Sequence, residues 1–287
     1  MRISALGDIH GNHIALENCL NWIGNNNIDG IAFLGDYISD FPYPQKTISL
    51  LRDVSLKYKT WFIRGNREDY MINHHKNPND DWCYNSQSGS LLYTYENLTN
   101  NDIAFFEQLP ISTDIDIIQS NPITICHGSP NSNRALFNPN TAEIDEVMTN
   151  LNNSLLICGH SHQPFIYQKR GKTIANGGSV GLTACNGQTN SHFIVAEYKN
   201  SNWNVEIISL KYDIDKAIKE FYESDLITKG NIWAKAIIAT MKTGVDYNGK
   251  CISIINKICK ERNQPFNTEE IWIEAAKIIE LEKIVKE

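Results

Sequence analysis

Arg2-Ile3-Ser4-Ala5-Leu6-Gly7-Asp8-Ile9-His10-Gly11-Asn12 is an apolar run, a glycine break and two chemically active side chains. Residues 2–6 predict a buried strand. Beyond it, Ile14, Leu16, Leu20 and Ile23 recur near helical spacing, which predicts a helix from His13 to about Asn25. The unit then repeats. Ile31-Ala32-Phe33-Leu34 predicts a second strand closed by Gly35-Asp36, and residues 44–55 predict a helix. Thr60-Trp61-Phe62-Ile63 predicts a third strand, and Glu68 to His74 starts another helix. Strand, loop and helix in this order build a parallel sheet with helical crossovers.

The polar stretch from His75 to Ser90 interrupts the alternation and reads as a surface loop or a lid, with Trp82 and Tyr84 at its edge. Helices are expected near 88–97 and 100–108. The character then changes to short, β-branched strands over 111–118, 122–126, 155–158, 164–169, 173–176, 192–198 and 203–210, with one helix at 141–151. Gln168-Lys169-Arg170-Gly171-Lys172 reads as a hairpin turn. From Tyr212 the pattern is helical, with helices expected near 213–222, 230–241, 249–261 and 267–285. The chain therefore divides into a domain over 1–211 and a helical extension over 212–287. The extension reads as a packing or homo-oligomerisation appendage, with a cap over a substrate cleft as the alternative.

The bulk properties narrow the function. The 287 residues carry a formal charge of −7, which argues against a nucleic-acid partner because such proteins present a basic face. No run of about 18 apolar residues occurs, so no membrane span is expected. The start of the chain reads as a strand and not as a signal peptide. Seven scattered cysteines without a Cys-x-x-Cys pair fit a reduced, cytoplasmic setting. The abundance of Asn and Ile hints at an AT-rich bacterial genome.

Five polar signals stand in order: Asp8-Ile9-His10, Gly35-Asp36, Gly65-Asn66-Arg67-Glu68, His127-Gly128 and Gly159-His160-Ser161-His162. Asp8, Asp36 and Asn66 each fall just past a predicted strand end, where ligands collect on an open α/β sheet. In extended chain, residues two apart point the same way. On that reading Asp8 and His10 face one site, as do His160 and His162. Each signal alone is weak; five in order with preceding glycines are a ligand set for two metal ions.

Together these residues resemble the pattern of the calcineurin-like metallophosphoesterase superfamily, over roughly residues 1–210. Asp8-Ile9-His10-Gly11-Asn12 before a helix, and Asn176-Gly177-Gly178-Ser179, resemble its small bacterial phosphoesterase branch, with Gly177 where that branch has proline. The fold implied is α/β: a four-layer α/β/β/α sandwich of two mixed sheets, with the C-terminal helices outside the resemblance. The ligands implied are Asp8, His10, Asp36 and His162 for one ion and Asp36, Asn66, His127 and His160 for the other, with Asp36 bridging. Nitrogen and oxygen donors without thiolate suit Mn²⁺ first, with Fe, Zn or Ni as alternatives. Two such ions would clamp phosphoryl oxygens, activate a bridging water as hydroxide and stabilise the in-line transition state. They also outweigh two aspartates in charge, so an acidic protein can bind phosphate.

Catalytic roles are expected for Asn66, Arg67 and His127. Many members of the superfamily have histidine where Arg67 stands, as a proton donor to the leaving oxygen. Arginine cannot release a proton near neutral pH, but it can grip phosphate oxygens. That favours good leaving groups: phosphodiesters and nucleotide phosphoanhydrides, with protein or small-molecule phosphomonoesters as the alternative. The other reading of Arg67 is an ion pair with Glu68, Asp69 or another surface acid. Asn12 reads as a phosphate contact or a helix cap, and Arg134 as a phosphate contact or a solvated loop residue. Tyr37, Phe41 and Tyr43 could stack on a base or could pack the loop. His74, His75 and His192 read as surface or structural, and His13 stays unassigned. A catalytically silent scaffold of the same fold is the reading of another class, and the complete ligand set counts against it.

Overall fold

The computed structural model describes residues 1–116, 121–137, 139–140, 142–264 and 268–286. The opening repeat folds as β1 (Arg2–Leu6), α1 (His13–Gly24), β2 (Gly30–Phe33), α2 (Pro44–Ser55) and β3 (Lys59–Phe62). Helices α3 (Asn66–Lys76), α4 (Gly89–Glu96) and α5 (Asn100–Gln108) follow. Next come β4 (Ser112–Ile115), β5 (Ile123–Cys126), α6 (Ala142–Asn150), β6 (Leu155–Cys158), β7 (Phe165–Lys169), β8 (Lys172–Asn176), β9 (Ser191–Lys199) and β10 (Asn202–Leu210). Residues 117–118, 141 and 267, at the edges of three expected elements, lie outside the described residues.

Two five-stranded sheets result, ordered β10-β9-β1-β2-β3 and β4-β5-β6-β8-β7. The first runs parallel strands β1, β2 and β3 out to one edge, with antiparallel β9 and β10 on the other side, and the second holds parallel β5, β6 and β8 between antiparallel β4 and β7. The parallel first half therefore gains β9 and β10 as antiparallel neighbours. The β7–β8 hairpin turns at Arg170 and Gly171, both at positive φ (54° and 73°), as the tight primed turn requires.

Alternation along the strands sorts side chains into layers. Ile3, Ala5, Ala32, Leu34, Ile194 and Ala196 of the first sheet meet Ile123, Ile125, Leu155, Ile157 and Ala175 of the second. Their neighbours Leu6, Phe33, Phe193 and Val195 turn the other way, onto Leu16, Ile23, Leu51 and Met71 of the flanking helices. On the far side Cys126, Leu156, Cys158 and Ile174 pack on Ile144 and Met148 of α6. This is the four-layer α/β/β/α sandwich. Cys126 and Cys158 are buried apolar fillers, and burial pushes their thiols well above the ordinary range.

The C-terminal helices are α7 (Ile214–Glu223), α8 (Leu226–Lys229), α9 (Asn231–Thr243), α10 (Tyr247–Arg262), α11 (Glu269–Ile278) and α12 (Leu281–Lys286). The single helix expected over 267–285 is broken after Ile278, where Glu280 takes a left-handed φ of 53°. The short α8 has too few residues to show a period. Phe221, Ile237, Ile255, Trp272 and Leu281 form a core of their own, and Ile14, Phe41 and Leu182 from the sandwich enter it. No described helix is long and apolar enough to cross a membrane.

Candidate metal centre

The polar side chains collect where β1, β2, β5 and β6 end, and the backbone that delivers them is not extended. Asp8, His10, Asp36, His160 and His162 all take left-handed conformations, with φ of 56°, 55°, 52°, 67° and 54°. The convergence of Asp8 with His10, and of His160 with His162, is as expected, but left-handed turns produce it. Asp and His tolerate this region better than most residues, yet five such positions in one place are stored strain of the kind that gathers at functional sites.

Two clusters form side by side. Asp8, His10 and His162 present ligand atoms within 4.8 Å of one another, and so do Asp36, His127 and His160. His162 Nε2 lies 3.4 Å from Asp8 Oδ1, and His127 Nε2 lies 3.4 Å from Asp36 Oδ1. The clusters touch through His10 Nε2, 3.8 Å from Asp36 Oδ2, and His127 Nε2, 4.0 Å from Asp8 Oδ1. Asn66 Oδ1 joins the second cluster, 3.2 Å from His127 Nε2. All seven residues expected from the sequence are thus brought together.

Three imidazoles are aimed by their far nitrogens. His127 Nδ1 donates to the Leu34 carbonyl at 2.7 Å and His162 Nδ1 to the Leu182 carbonyl at 2.8 Å. His10 Nδ1 bonds Asp40 Oδ2 at 2.9 Å. Each ring so turns Nε2 inward, and this backing of one nitrogen is how metal-binding histidines are oriented. The carboxylates are held too. Asp8 Oδ2 accepts from the His160 amide at 2.9 Å and Asp36 Oδ1 from the Arg67 amide at 2.8 Å. Glu68 is buried and accepts from the backbone amides of Asp36, Tyr37 and Gly65 at 2.8–2.9 Å. Its carboxyl rises to about 7 through burial and the Asp36 charge. Glu68 is therefore a clamp on the Asp36 and Asn66 loops.

The cluster calls for cations. Asp8 Oδ1 is buried with no hydrogen-bond partner among the described residues. Burial opposes charge on His127, but the Asp36 and Asp8 carboxylates outweigh it and push the imidazole up to about 10. Asp36 is driven far below the usual carboxylate range, because His127, His10 and Arg67 overcome its desolvation. Imidazole, carboxylate and carboxamide donors without thiolate fit divalent metal ions.

A sequence model of the calcineurin-like phosphoesterase superfamily domain matches residues 1–201. The chain belongs to that superfamily. An uncharacterized protein of Methanocaldococcus jannaschii is 25% identical over 241 residues, covering 78% of this chain and 93% of its own. A hypothetical protein of Pyrococcus horikoshii shares the fold with a TM-score of 0.71 at 19% identity, over 85% of this chain and 98% of its own. A metallophosphoesterase of Sphaerobacter thermophilus gives 0.68 at 21% identity, over 85% of this chain and 100% of its own. Both structural matches exceed the share that residues 1–211 make up of the 287, so both run into the C-terminal helices. This calcineurin-like phosphoesterase is a metal-dependent phosphoric ester hydrolase.

The calcineurin-like site contains one residue that sequence reading missed. Asp40 is buried in a left-handed turn (φ 69°) between Ser39 and Phe41. Besides His10, it accepts from Arg67 Nη2 at 3.1 Å, Trp233 Nε1 at 2.8 Å and Ser39 Oγ at 3.2 Å. Arg67, His10 and Trp233 together outweigh its burial and hold its carboxyl well below the ordinary range. The one signal for it was a second aspartate four residues after Asp36. Arg67 therefore has acid partners, but they are the buried Asp40 and, at 4.0 Å, the buried Asp36, and not Glu68, Asp69 or a surface acid; Asp69 pairs with Arg64 at 2.7 Å. Arg67 still lines a cavity of about 430 Å³ beside His10, Asp36, Asn66, His160 and His162.

Other candidates go elsewhere. Asn12 caps α1, accepting from the Ala15 amide at 3.0 Å and donating to the Gly181 carbonyl at 2.8 Å. Arg134 is exposed and donates to Tyr70 Oη at 2.9 Å. Neither is among the residues lining the cavity. Tyr37 and Phe41 are core residues, the latter edge-on to Phe221. Tyr43 stands at the start of α2 with Lys46 over its ring. His74 stacks on Trp82, His75 bonds Tyr95 Oη, and His192 is buried beside Thr183. His13 bonds Glu220 of α7 at 2.8 Å. Nothing from 75–90 lines the cavity; Ser86 of that stretch instead binds Glu269 of α11.

Gly65 permits the approach of the two loops. A β-carbon there would collide with Asp36 Oδ1 and with its backbone nitrogen. Gly65→Ala should therefore displace Asp36, costing about 1–3 kcal/mol of stability and weakening Mn²⁺ binding by tenfold or more. Thermal melting and metal titration read the two effects; a variant with unchanged metal affinity would refute this role for Gly65.

Proposed function

We propose that Asp8, His10, Asp36 and His162 hold one divalent ion and Asp36, Asn66, His127 and His160 a second, and that the site hydrolyses phosphodiesters or nucleotide phosphoanhydrides. The observation that carries this reading is the pair of contiguous clusters, with Asp36 in contact range of both His127 and His10. When bound, the ions would supply Lewis-acid stabilisation of the phosphoryl group and lower the pKa of water. Manganese is the ion proposed first.

The chain's own groups supply positioning. Asp8 and Asp36 hold their oxygens against backbone amides, and His127 and His162 keep Nε2 inward because their Nδ1 protons are taken by carbonyls. Arg67 offers fixed positive charge and N–H donors to phosphoryl oxygens. It does not protonate a leaving oxygen, because guanidinium keeps its protons at neutral pH. Poor leaving groups thus gain no general acid from this position.

The experiment is a screen of phosphodiesters and nucleotides with added Mn²⁺, read as released phosphate, nucleoside or p-nitrophenol. Among aryl esters, kcat/KM should rise steeply as the leaving-group pKa falls, and Arg67→His should flatten that slope. A flat dependence in the wild type would defeat the assignment of Arg67. A protein that binds Mn²⁺ but hydrolyses none of these substrates would defeat the function itself.

A further inference from the structure

The cavity wall supplied by the C-terminal helices has one-sided chemistry. Trp233 and Ile237 come from α9, Asp246 from the turn before α10, and Asn248 and Ile252 from α10. None is basic. Arg67 is the one Lys or Arg in the described lining, and Asp40 already pairs with it. The polar groups of this wall are acceptors. Asp246 carries a carboxylate whose Oδ1 caps Gly249 at 2.7 Å. Asn248 donates Nδ2 to the Trp233 carbonyl at 3.3 Å, which fixes the direction of its amide. Its Oδ1 is left buried without a partner among the described residues. Trp233 is anchored by its bond to Asp40, so its ring is a fixed part of the wall.

We propose that this wall is the subsite for the organic group of a phosphodiester, and that it takes an uncharged ring system with N–H or O–H donors, of the nucleoside type. The proposal deepens the phosphoesterase reading above and rests on it. Trp233 and Ile252 offer aromatic and apolar surface to a ring, with Ile237 packed in the core behind them. Asp246 and Asn248 offer acceptors to its donors, and a buried acceptor left unmet is costly. Further phosphates laid along the same wall would meet Asp246 and no unpaired cation, an arrangement that selects against them. Of the two proposed substrate classes, nucleoside phosphodiesters are therefore favoured over polyphosphates.

The test is steady-state hydrolysis by the full chain with Mn²⁺, comparing the p-nitrophenyl ester of thymidine 5′-phosphate, bis-p-nitrophenyl phosphate and ATP. The wild type should prefer the thymidine diester to ATP. Asp246→Lys should lower kcat/KM for the thymidine diester about threefold or more while raising it for ATP by a similar factor. Opposite movements cannot come from a damaged fold. Asn248→Leu should cut turnover of the thymidine diester about tenfold more than that of bis-p-nitrophenyl phosphate, which has no donors. Calorimetry with thymidine alone on the Mn²⁺-loaded full chain should show binding that Asp246→Lys weakens. Parallel losses on all substrates, a wild-type preference for ATP, or no thymidine binding would overturn the subsite. A wild type inert on bis-p-nitrophenyl phosphate would overturn the phosphoesterase reading, and thymidine binding would then decide the subsite by itself.

Discussion

Replacing Asp36 with alanine should abolish metal-dependent hydrolysis, lowering kcat/KM by roughly a thousandfold or more. The size of the effect follows from where the carboxylate stands. Its Oδ1 lies 3.4 Å from His127 Nε2 and its Oδ2 lies 3.8 Å from His10 Nε2, so each of its two oxygens faces an imidazole of a different cluster. Loss of the side chain would remove a charge from both of the proposed metal positions at once. It also frees the Arg67 amide, which donates to Oδ1 at 2.8 Å, and with it the start of α3. His127 is affected next, because the carboxylates are what raise its imidazole to about 10 in the metal-free cluster. Calorimetric titration with Mn²⁺ should show the weaker binding, and hydrolysis of bis-p-nitrophenyl phosphate should show the loss of turnover. Alanine at His127 should behave alike. Activity within tenfold of the wild type in either variant would refute the assignment of these ligands.

Much of this site was legible because its signals are local. Each proposed ligand lies just past a short apolar run of strand length, and Gly35, Gly65 and Gly159 mark close approaches whose need is steric: a β-carbon on Gly159 would lie 2.6 Å from Asp8 Oδ2. The mode of delivery was not legible. A two-residue spacing is equally consistent with extended chain and with successive left-handed turns, and Asp8 and His10 use the turns. Asn12 and Arg134 were ambiguous for a related reason. A cap and a phosphate contact look identical until the partner is known, and here the partners are Ala15 and Tyr70. Long-range docking was legible only as an alternative: the extension reads first as a packing or oligomerisation appendage and second as a cap over the cleft, and it is the second that its place on the cavity wall supports. The extension could be read as helices, but nothing in its periodicity says that Trp233 and Asn248 come to line the metal cavity. Asp40 shows the same limit, since its partners lie 30, 27 and 193 positions away in sequence.

Asp40→Asn should weaken Mn²⁺ binding and kcat/KM by about 10–100-fold, the usual cost of losing the group behind a metal-binding histidine. Asparagine is the informative substitute because it keeps the shape and tolerates the left-handed backbone at φ 69°. What it removes is charge. The carboxylate accepts from His10 Nδ1, Arg67 Nη2 and Trp233 Nε1 at 2.9, 3.1 and 2.8 Å. An amide oxygen can still accept, but its NH₂ must face one of those donors and push it away. If the displaced donor is Arg67, a largely buried guanidinium loses its nearer counter-charge and keeps only Asp36 at 4.0 Å, at a cost of up to about 3 kcal/mol, which melting curves would register. If it is Trp233, the sandwich loses its tie to α9 and the cavity wall loosens. Trp233→Phe isolates that second branch, since it deletes one donor and leaves the carboxylate with His10 and Arg67. It should therefore raise KM more than it lowers kcat, and its effect on Mn²⁺ affinity should be several-fold smaller than that of Asp40→Asn. Equal metal affinities in the wild type and Asp40→Asn would show that His10 needs no partner, and Asp40 would then be a packing residue of the loop.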